Sequence, residues 1–320
     1  MRFVKTILLV FAILILAIPP LTACEQMKKT QEPDDRLQIV TSFYVLYDLA
    51  GKIGGDHVVV TNLVPPGAEP HDWEPEAADL VRLEQADMLI FNGAGMEHWL
   101  DKVTAALSNQ DLILVQTTEG MTLLAAEHAH DHEDEDEDEH EDEHDTNGFD
   151  PHVWLDPLNA LHQLGLIHAA LVAAAPEYTE DFNQAYDRYA AELIALDLEF
   201  RQGLADLPKR EIIVAHEAFG YMAHAYDLQQ VGIEGLSSES EPDPARMAEI
   251  VDFARQHDVQ VIFFEELASP KVAEAIAREV GARTAVLNPL EGLTQAQILA
   301  GEDYFSVMRQ NLAALIDALS

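Results

Sequence analysis

The chain of 320 residues has one cysteine, Cys24, and sets only 18 lysines and arginines against 58 aspartates and glutamates. A lone cysteine excludes an intramolecular disulfide framework, so in an exported protein Cys24 carries either a free thiol or a modification. The shortage of basic residues leaves a formal net charge of −40. Nucleic acid and anionic lipid surfaces would be repelled by such a chain, and cations attracted. Long hydrophobic runs are missing too. The uncharged apolar run at residues 7–18 falls short of the roughly 20 residues that a bilayer crossing takes, so a permanent transmembrane helix is the weaker reading. No internal repeat of short period is present.

What stands at the N-terminus is a secretory signal. Arg2 and Lys5 precede the apolar run, and Leu21-Thr22-Ala23-Cys24 follows it. That tetrapeptide resembles a bacterial lipobox, which implies cleavage before Cys24 and acylation of its sulfur. Two or more acyl chains make a stable anchor where one binds only marginally. The expectation is a signal peptide over residues 1–23, a polar tether over 24–35 and an extracytoplasmic protein held to the bacterial membrane through Cys24. It would sit on the outer face of a cell membrane or in a periplasm.

Residues 36–177 read as alternating strands and helices: strands at 37–42, 57–64, 88–91 and 112–115, helices at 44–53, from Pro75 onward and around 98–107. Such alternation predicts a parallel sheet covered on both faces. Residues 119–149 interrupt the pattern. Within them, 127–145 hold thirteen acidic residues and no basic one; a segment of that composition cannot bury a core and is expected to be largely disordered. A helix at 159–174 stops at Pro176. Apolar and aromatic residues then recur at three- and four-residue steps from Tyr178 to Leu204, predicting one linking helix over 178–206, roughly 40 Å long at 1.5 Å per residue. Alternation resumes over 207–320, with strands at 211–215, 228–233, 259–264 and 283–287. Helices are expected near 221–226 and at 244–256, 270–280 and 304–319. The fold class is α/β: two parallel-sheet lobes joined by one long rigid backbone helix, with a metal site in the interlobe cleft.

Three distant histidines carry the chemistry. His71 lies in Pro65-Pro66-Gly67-Ala68-Glu69-Pro70-His71-Asp72-Trp73-Glu74-Pro75, His152 in Asp150-Pro151-His152-Val153-Trp154-Leu155-Asp156-Pro157, and His216 ends Ile212-Ile213-Val214-Ala215-His216. Flanking prolines lower the entropy lost when a ligand loop is ordered, and a neighbouring carboxylate can accept the second ring N–H and fix the tautomer. Ligands in open parallel sheets sit beyond the carboxyl ends of strands, where His71 and His216 both fall. Three imidazoles with a fourth oxygen or water ligand suit Zn²⁺. Mn²⁺ favours more carboxylates, and Cu²⁺ would bind more tightly if offered. Trp73 and Trp154 should pack around the site.

The His71 and His152 segments, together with Val214-Ala215-His216-Glu217-Ala218-Phe219-Gly220-Tyr221 and Asn288-Pro289-Leu290-Glu291-Gly292-Leu293, resemble the zinc-binding lipoproteins of ATP-driven metal importers. These are the cluster A-I, or ZnuA/AdcA-like, solute-binding proteins. The resemblance covers nearly everything from Leu37 to Ser320. It implies metal held at His71, His152 and His216 between two lobes, with a fourth ligand that is an acidic side chain of the second lobe or a water. Glu291 is the acidic candidate, and Asn288 stands where some relatives carry aspartate. Manganese-favouring members tend to have a carboxylate at the third position, so His216 points to zinc. The partners implied are the Zn²⁺ ion and a membrane permease of the ABC type, with the receptor a monomer. His128, His130, His132, His140 and His144, within the acidic run, match a histidine-rich loop of zinc-importer receptors that would capture zinc weakly.

Competing readings are a manganese receptor of the same class, a surface adhesin and a secreted zinc hydrolase using Glu69 or Glu217 as base. Against the hydrolase, His216-Glu217 lacks the second histidine of a His-Glu-x-x-His motif. Glu265 and Glu266 are expected to be solvated or to make structural hydrogen bonds. His57, His98, His162, His168, His224 and His257 are read as structural or surface residues. With ordinary imidazole pKa values near 6.5, zinc affinity should fall steeply below about pH 6.

Overall fold

The computed structural model describes residues 34–126, 148–236 and 242–320. Cys24 and the loop histidines His128, His130, His132, His140 and His144 lie outside the described residues.

The described residues form two four-stranded parallel sheets of the same design. Strands β1 (Leu37–Thr41), β2 (Val58–Asn62), β3 (Met88–Phe91) and β4 (Ile113–Gln116) are ordered β2-β1-β3-β4. Strands β5 (Glu211–Val214), β6 (Gln229–Gly232), β7 (Val261–Phe264) and β8 (Arg283–Val286) are ordered β6-β5-β7-β8. In each sheet the first strand sends the chain to one side and then to the other. That reversal leaves a crevice at its carboxyl end, where ligands of open α/β sheets bind.

Helices α1 (Tyr44–Gly54), α2 (Ala77–Glu84) and α3 (Leu100–Ala106) belong to the first sheet. Pro75 does not open α2. The helix starts two residues later, where the Asp79 side chain accepts the Glu76 backbone N–H at 2.9 Å. Helix α4 (Pro157–Ala174) follows the His152 loop, with Asp156 capping it by accepting the Leu158 N–H and Pro157 at its first position. Helix α5 (Thr179–Leu204) is the long connector. No proline breaks it, and its buried stripe of Phe182, Leu193, Leu196, Phe200 and Leu204 recurs at helical spacing. It packs against α1 and α4 on one side and against α6 (Gly220–Tyr226) and α10 (Tyr304–Leu319) on the other. Helices α7 (Pro244–Gln256) and α8 (Lys271–Val280) cover the second sheet, and a short α9 (Gln295–Ala300) was not foreseen from the sequence.

The hydrophobic core explains how the halves hold together. One continuous cluster takes in Ile39, Phe43 and Leu46 of the first half, Leu193 and Phe200 of α5, and Val214, Phe219, Leu290 and Tyr304 of the second. Two smaller clusters lie elsewhere, one around Leu83, Leu89 and Trp99, the other around Ile213, Ile250 and Ile276. Polar ties reinforce the shared core: Trp154 Nε1–H donates to the Pro289 carbonyl at 2.7 Å, and the Tyr304 hydroxyl to the Trp154 carbonyl at 2.7 Å.

Candidate metal centre

Three of the proposed donors follow the carboxyl ends of strands: His71 lies in the loop after β2, His216 two residues past β5 and Glu291 five past β8, whereas His152 sits just before the helical turn Val153–Leu155 that leads into α4. The structure brings them together. One donor atom from each lies within 4.8 Å of every other, and among the described residues this is the one such His/Cys/Asp/Glu group. His71 Nε2 is 3.1 Å from His152 Nε2, which is 3.4 Å from His216 Nε2. Glu291 Oε1 stands 2.9 Å from His152, 3.1 Å from His216 and 3.4 Å from His71. A tetrahedral zinc with bonds of about 2.0–2.1 Å needs donor separations of about 3.3 Å. Those five separations bracket that value.

Carboxylates behind the rings decide which nitrogen faces the centre. Asp150 Oδ1 lies 2.7 Å from His152 Nδ1 and also accepts the His152 backbone N–H at 2.9 Å. Glu265 Oε1 lies 2.6 Å from His216 Nδ1. In both cases Nδ1–H donates outward and Nε2 is turned inward, the arrangement that fixes tautomer and raises ligand basicity. Glu265 is therefore not solvated: it is buried and hydrogen-bonded to a donor histidine. Glu266 accepts from Asn288 at 3.1 Å, away from the cluster. Glu69 accepts the backbone N–H of His71 at 3.3 Å, tightening that proline-bracketed turn. Glu217 is buried and faces Arg246 at 3.9 Å.

A deeper polar network holds the His152 loop. Asn92 Nδ2 donates to the Pro151 carbonyl at 2.9 Å, while Glu97 accepts the Asn92 N–H at 2.8 Å and the Ser42 hydroxyl at 2.7 Å. The Tyr221 hydroxyl donates to the Asp150 carbonyl at 2.9 Å. Asp150, Pro151 and Tyr221 belong to the quoted segments, whereas Asn92, Glu97 and Ser42 lie far from them in sequence and carry no motif that points to this loop.

The Glu291 loop is strained. Leu290 adopts φ 61°, the left-handed region that costs a residue with a Cβ roughly 1–2 kcal/mol. Asn288 sustains it: its Oδ1 accepts the Leu290 N–H at 2.7 Å, and its own N–H donates to Asn311 Oδ1 at 2.9 Å. Asn288 is thus a turn-former rather than a ligand. Gly292 packs closely there: a Cβ would lie 3.2 Å from Leu267 Cδ1, a side-chain end that would have to give by a few tenths of an ångström, and 3.4 Å from the Ala68 carbonyl, an ordinary contact. Beside it the Gly67 N–H donates to the Leu293 carbonyl at 3.1 Å, stitching the two ligand loops backbone to backbone.

Without a cation the cluster holds a proton. Burial pushes the His216 ring toward neutrality, but the charges of Glu265 and Glu291 outweigh it and lift its pKa well above 6.5. Burial likewise opposes ionisation of Glu291, yet the His216 charge and hydrogen bonds from the three rings pull its pKa well below 4.5. His152 is raised despite burial, through Asp150 and Glu291. His71 is lowered by burial, which outweighs the pull of Glu291. Glu69 is pushed up to about 9 by burial and by the charge of Glu291.

The remaining histidines stay apart from the centre. His57 pairs with Asp181 at 2.8 Å and stacks on Tyr178, and His168 bonds to Asn183 at 2.8 Å. Trp154 packs 5.4 Å from the His152 ring between centroids, whereas Trp73 sits against Trp99.

Two parallel-sheet lobes with convergent imidazoles and a carboxylate in their crevice define a metal-binding solute receptor. The chain belongs to the family described as zinc-uptake complex component A, periplasmic, whose model matches residues 39–318. It is 40% identical over 286 residues to the high-affinity zinc uptake system protein ZnuA of Bacillus subtilis, covering 89% of this chain and 88% of that protein. It is 36% identical over 303 residues to the zinc-binding lipoprotein AdcA of Streptococcus pneumoniae, spanning 92% of this chain but only 58% of AdcA. The crystal structure of the Zn(II)-bound ZnuA-like domain of that AdcA superposes with a TM-score of 0.75 at 34% identity, covering 89% of this chain and 99% of the domain.

Proposed function

We propose that this protein is an extracytoplasmic receptor that takes Zn²⁺ as cargo at His71, His152, His216 and Glu291 and delivers it to an ABC-type membrane permease. The observation that carries this reading is the convergence of the four donor atoms, set by loops of both lobes, with five of their six separations close to that of a tetrahedral ion. Three imidazoles and a single carboxylate favour zinc over manganese, which prefers oxygen ligands. The family is one of metal-binding transport receptors, and no bond-breaking step is assigned to the centre. Relatives named as lipoproteins support anchoring through Cys24, with the receptor acting as a monomer.

Metal binding is transport chemistry here because each ligand must be neutral or anionic to bind, and a bound ion ties both ligand loops to one point. Metal analysis of the purified protein beside the His71→Ala, His152→Ala, His216→Ala and Glu291→Gln variants tests it. One tight zinc per chain is expected, weakened by orders of magnitude in each histidine variant. A histidine variant that keeps wild-type affinity would remove that residue from the site.

A further inference from the structure

We propose that the cavity between α1, β2 and α9 is the loading chamber through which a hydrated divalent cation reaches the four donors. The inference rests on the receptor reading above and assigns that site its route. A route is needed because the donors are closed off: His152 and His216 are 0% exposed, Glu291 is 1% exposed, and the His71 side chain 9%.

The chamber has a volume of about 480 Å³ and is walled by both lobes, with Tyr47, Asp48 and Asn62 on one side and Glu291, Ile298 and Glu302 on the other. An ion with six waters occupies roughly 200 Å³, at about 30 Å³ for each water-sized body, so it fits with its hydration intact. Glu291 is both a donor of the cluster and part of the chamber wall. Its Oε1 faces the three imidazoles, while its Oε2 is buried with no hydrogen-bond partner. Glu302 Oε2, on the same wall, is buried and unpartnered as well. Both oxygens are buried within residues of the chamber wall, and an unpartnered buried carboxylate oxygen is a place where a cation that has shed its water completes the bonding.

The charge lining the chamber has the right sign: Asp48, Glu291 and Glu302 line it with no lysine or arginine among the lining residues, and Lys52, beyond the lining, bridges Asp48 at 3.0 Å and Asp303 at 2.8 Å. A cleft lined by one sign of charge concentrates counter-ions and raises their on-rate. The same bridge keeps the walls in place. Lys52 and Asp48 belong to α1, Asp303 precedes α10, and the Tyr304 backbone N–H also donates to Asp48 at 3.3 Å. Wide separation of the lobes would break these bonds and open the shared core. The ion therefore passes through a standing chamber, sheds water against Glu291 and then meets the imidazoles.

Stopped-flow zinc exchange with a fluorescent chelator, on the full chain, tests the route. Gln295→Trp and Ile298→Trp plug the chamber from exposed positions on α9 that touch no donor. Association and dissociation should slow together by about tenfold or more, with Kd unchanged. Glu302→Gln should slow association several-fold and flatten its salt dependence. Wild-type rates in both tryptophan variants, with tight zinc retained, overturn the chamber while leaving the receptor reading intact. Absence of a tight zinc in the wild type overturns the receptor reading itself.

Discussion

Zinc binding should expel protons well above the pH at which free imidazole gives them up. An imidazole of pKa 6.5 is about 9% protonated at pH 7.5, so three ordinary histidines would release only about 0.3 proton per zinc and leave affinity nearly flat. The centre departs from that in a definite direction. His216 is held charged by Glu265 and Glu291, and Glu69, at about 9, carries a proton beside it. Glu291 is already ionised and His71 already neutral, so neither contributes. A bound dication displaces the proton on His216, together with the share His152 carries because its pKa is also raised, and disfavours the one on Glu69, releasing at least one proton at pH 7.5 and about two when all three contribute. Log K should accordingly rise by about one to two per pH unit from pH 7 to 8. Calorimetry in two buffers of different ionisation enthalpy counts the protons, and chelator competition across the same range gives the slope. Release below about 0.3 proton, with a flat affinity, would refute the buried His216–Glu291 ion pair.

The same pair makes a prediction for the metal-free protein. Because the folded-state pKa of His216 is raised, its contribution is fully present below about pH 6.5 and is lost as pH climbs through the folded value, so the apo Tm should fall on the alkaline side while the zinc-loaded Tm holds. A flat apo Tm there would count against it. Glu265→Gln keeps an acceptor for the His216 Nδ1–H but removes the charge, and should weaken zinc about 10–100-fold; Glu265→Asp should recover part of it, read by competition titration and by the visible spectrum of the Co²⁺-substituted protein. Equal affinity in Glu265→Gln would reduce Glu265 to a packing role. Deleting residues 127–145 should leave one tight zinc per chain by metal analysis, and its loss would put a tight ligand inside that run.

Sequence periodicity located most elements because their burial is one-sided and their ends are chemically marked. Asp243 before Pro244 fixes the start of α7, and α10 runs from Tyr304 to Leu319 as its spacing predicts. Pro75 misled because it looks like a first helical residue while the start of α2 is set by Asp79 reaching back to Glu76. Helix α9 escaped at six residues, although Thr294 and Gln297 form a capping box that marks it. At the centre, the three histidines and Glu291 were legible from their local chemistry and the family resemblance. The tautomer-setting role of Glu265 was not, since it depends on β5 and β7 being neighbours in the sheet. Asn92, Glu97 and the left-handed Leu290 were invisible for the same reason: their partners are distant in sequence or are backbone atoms.

The core that runs unbroken from Ile39 through Phe200 to Tyr304 has a bearing on how the molecule melts and how it can be cut. Neither half keeps its apolar surface covered without the other, so heat should dissolve both sheets in one cooperative transition. Fragments split within α5 should be sticky and poorly folded until recombined, which makes that helix a workable seam for a complementation reporter whose reassembly zinc would promote.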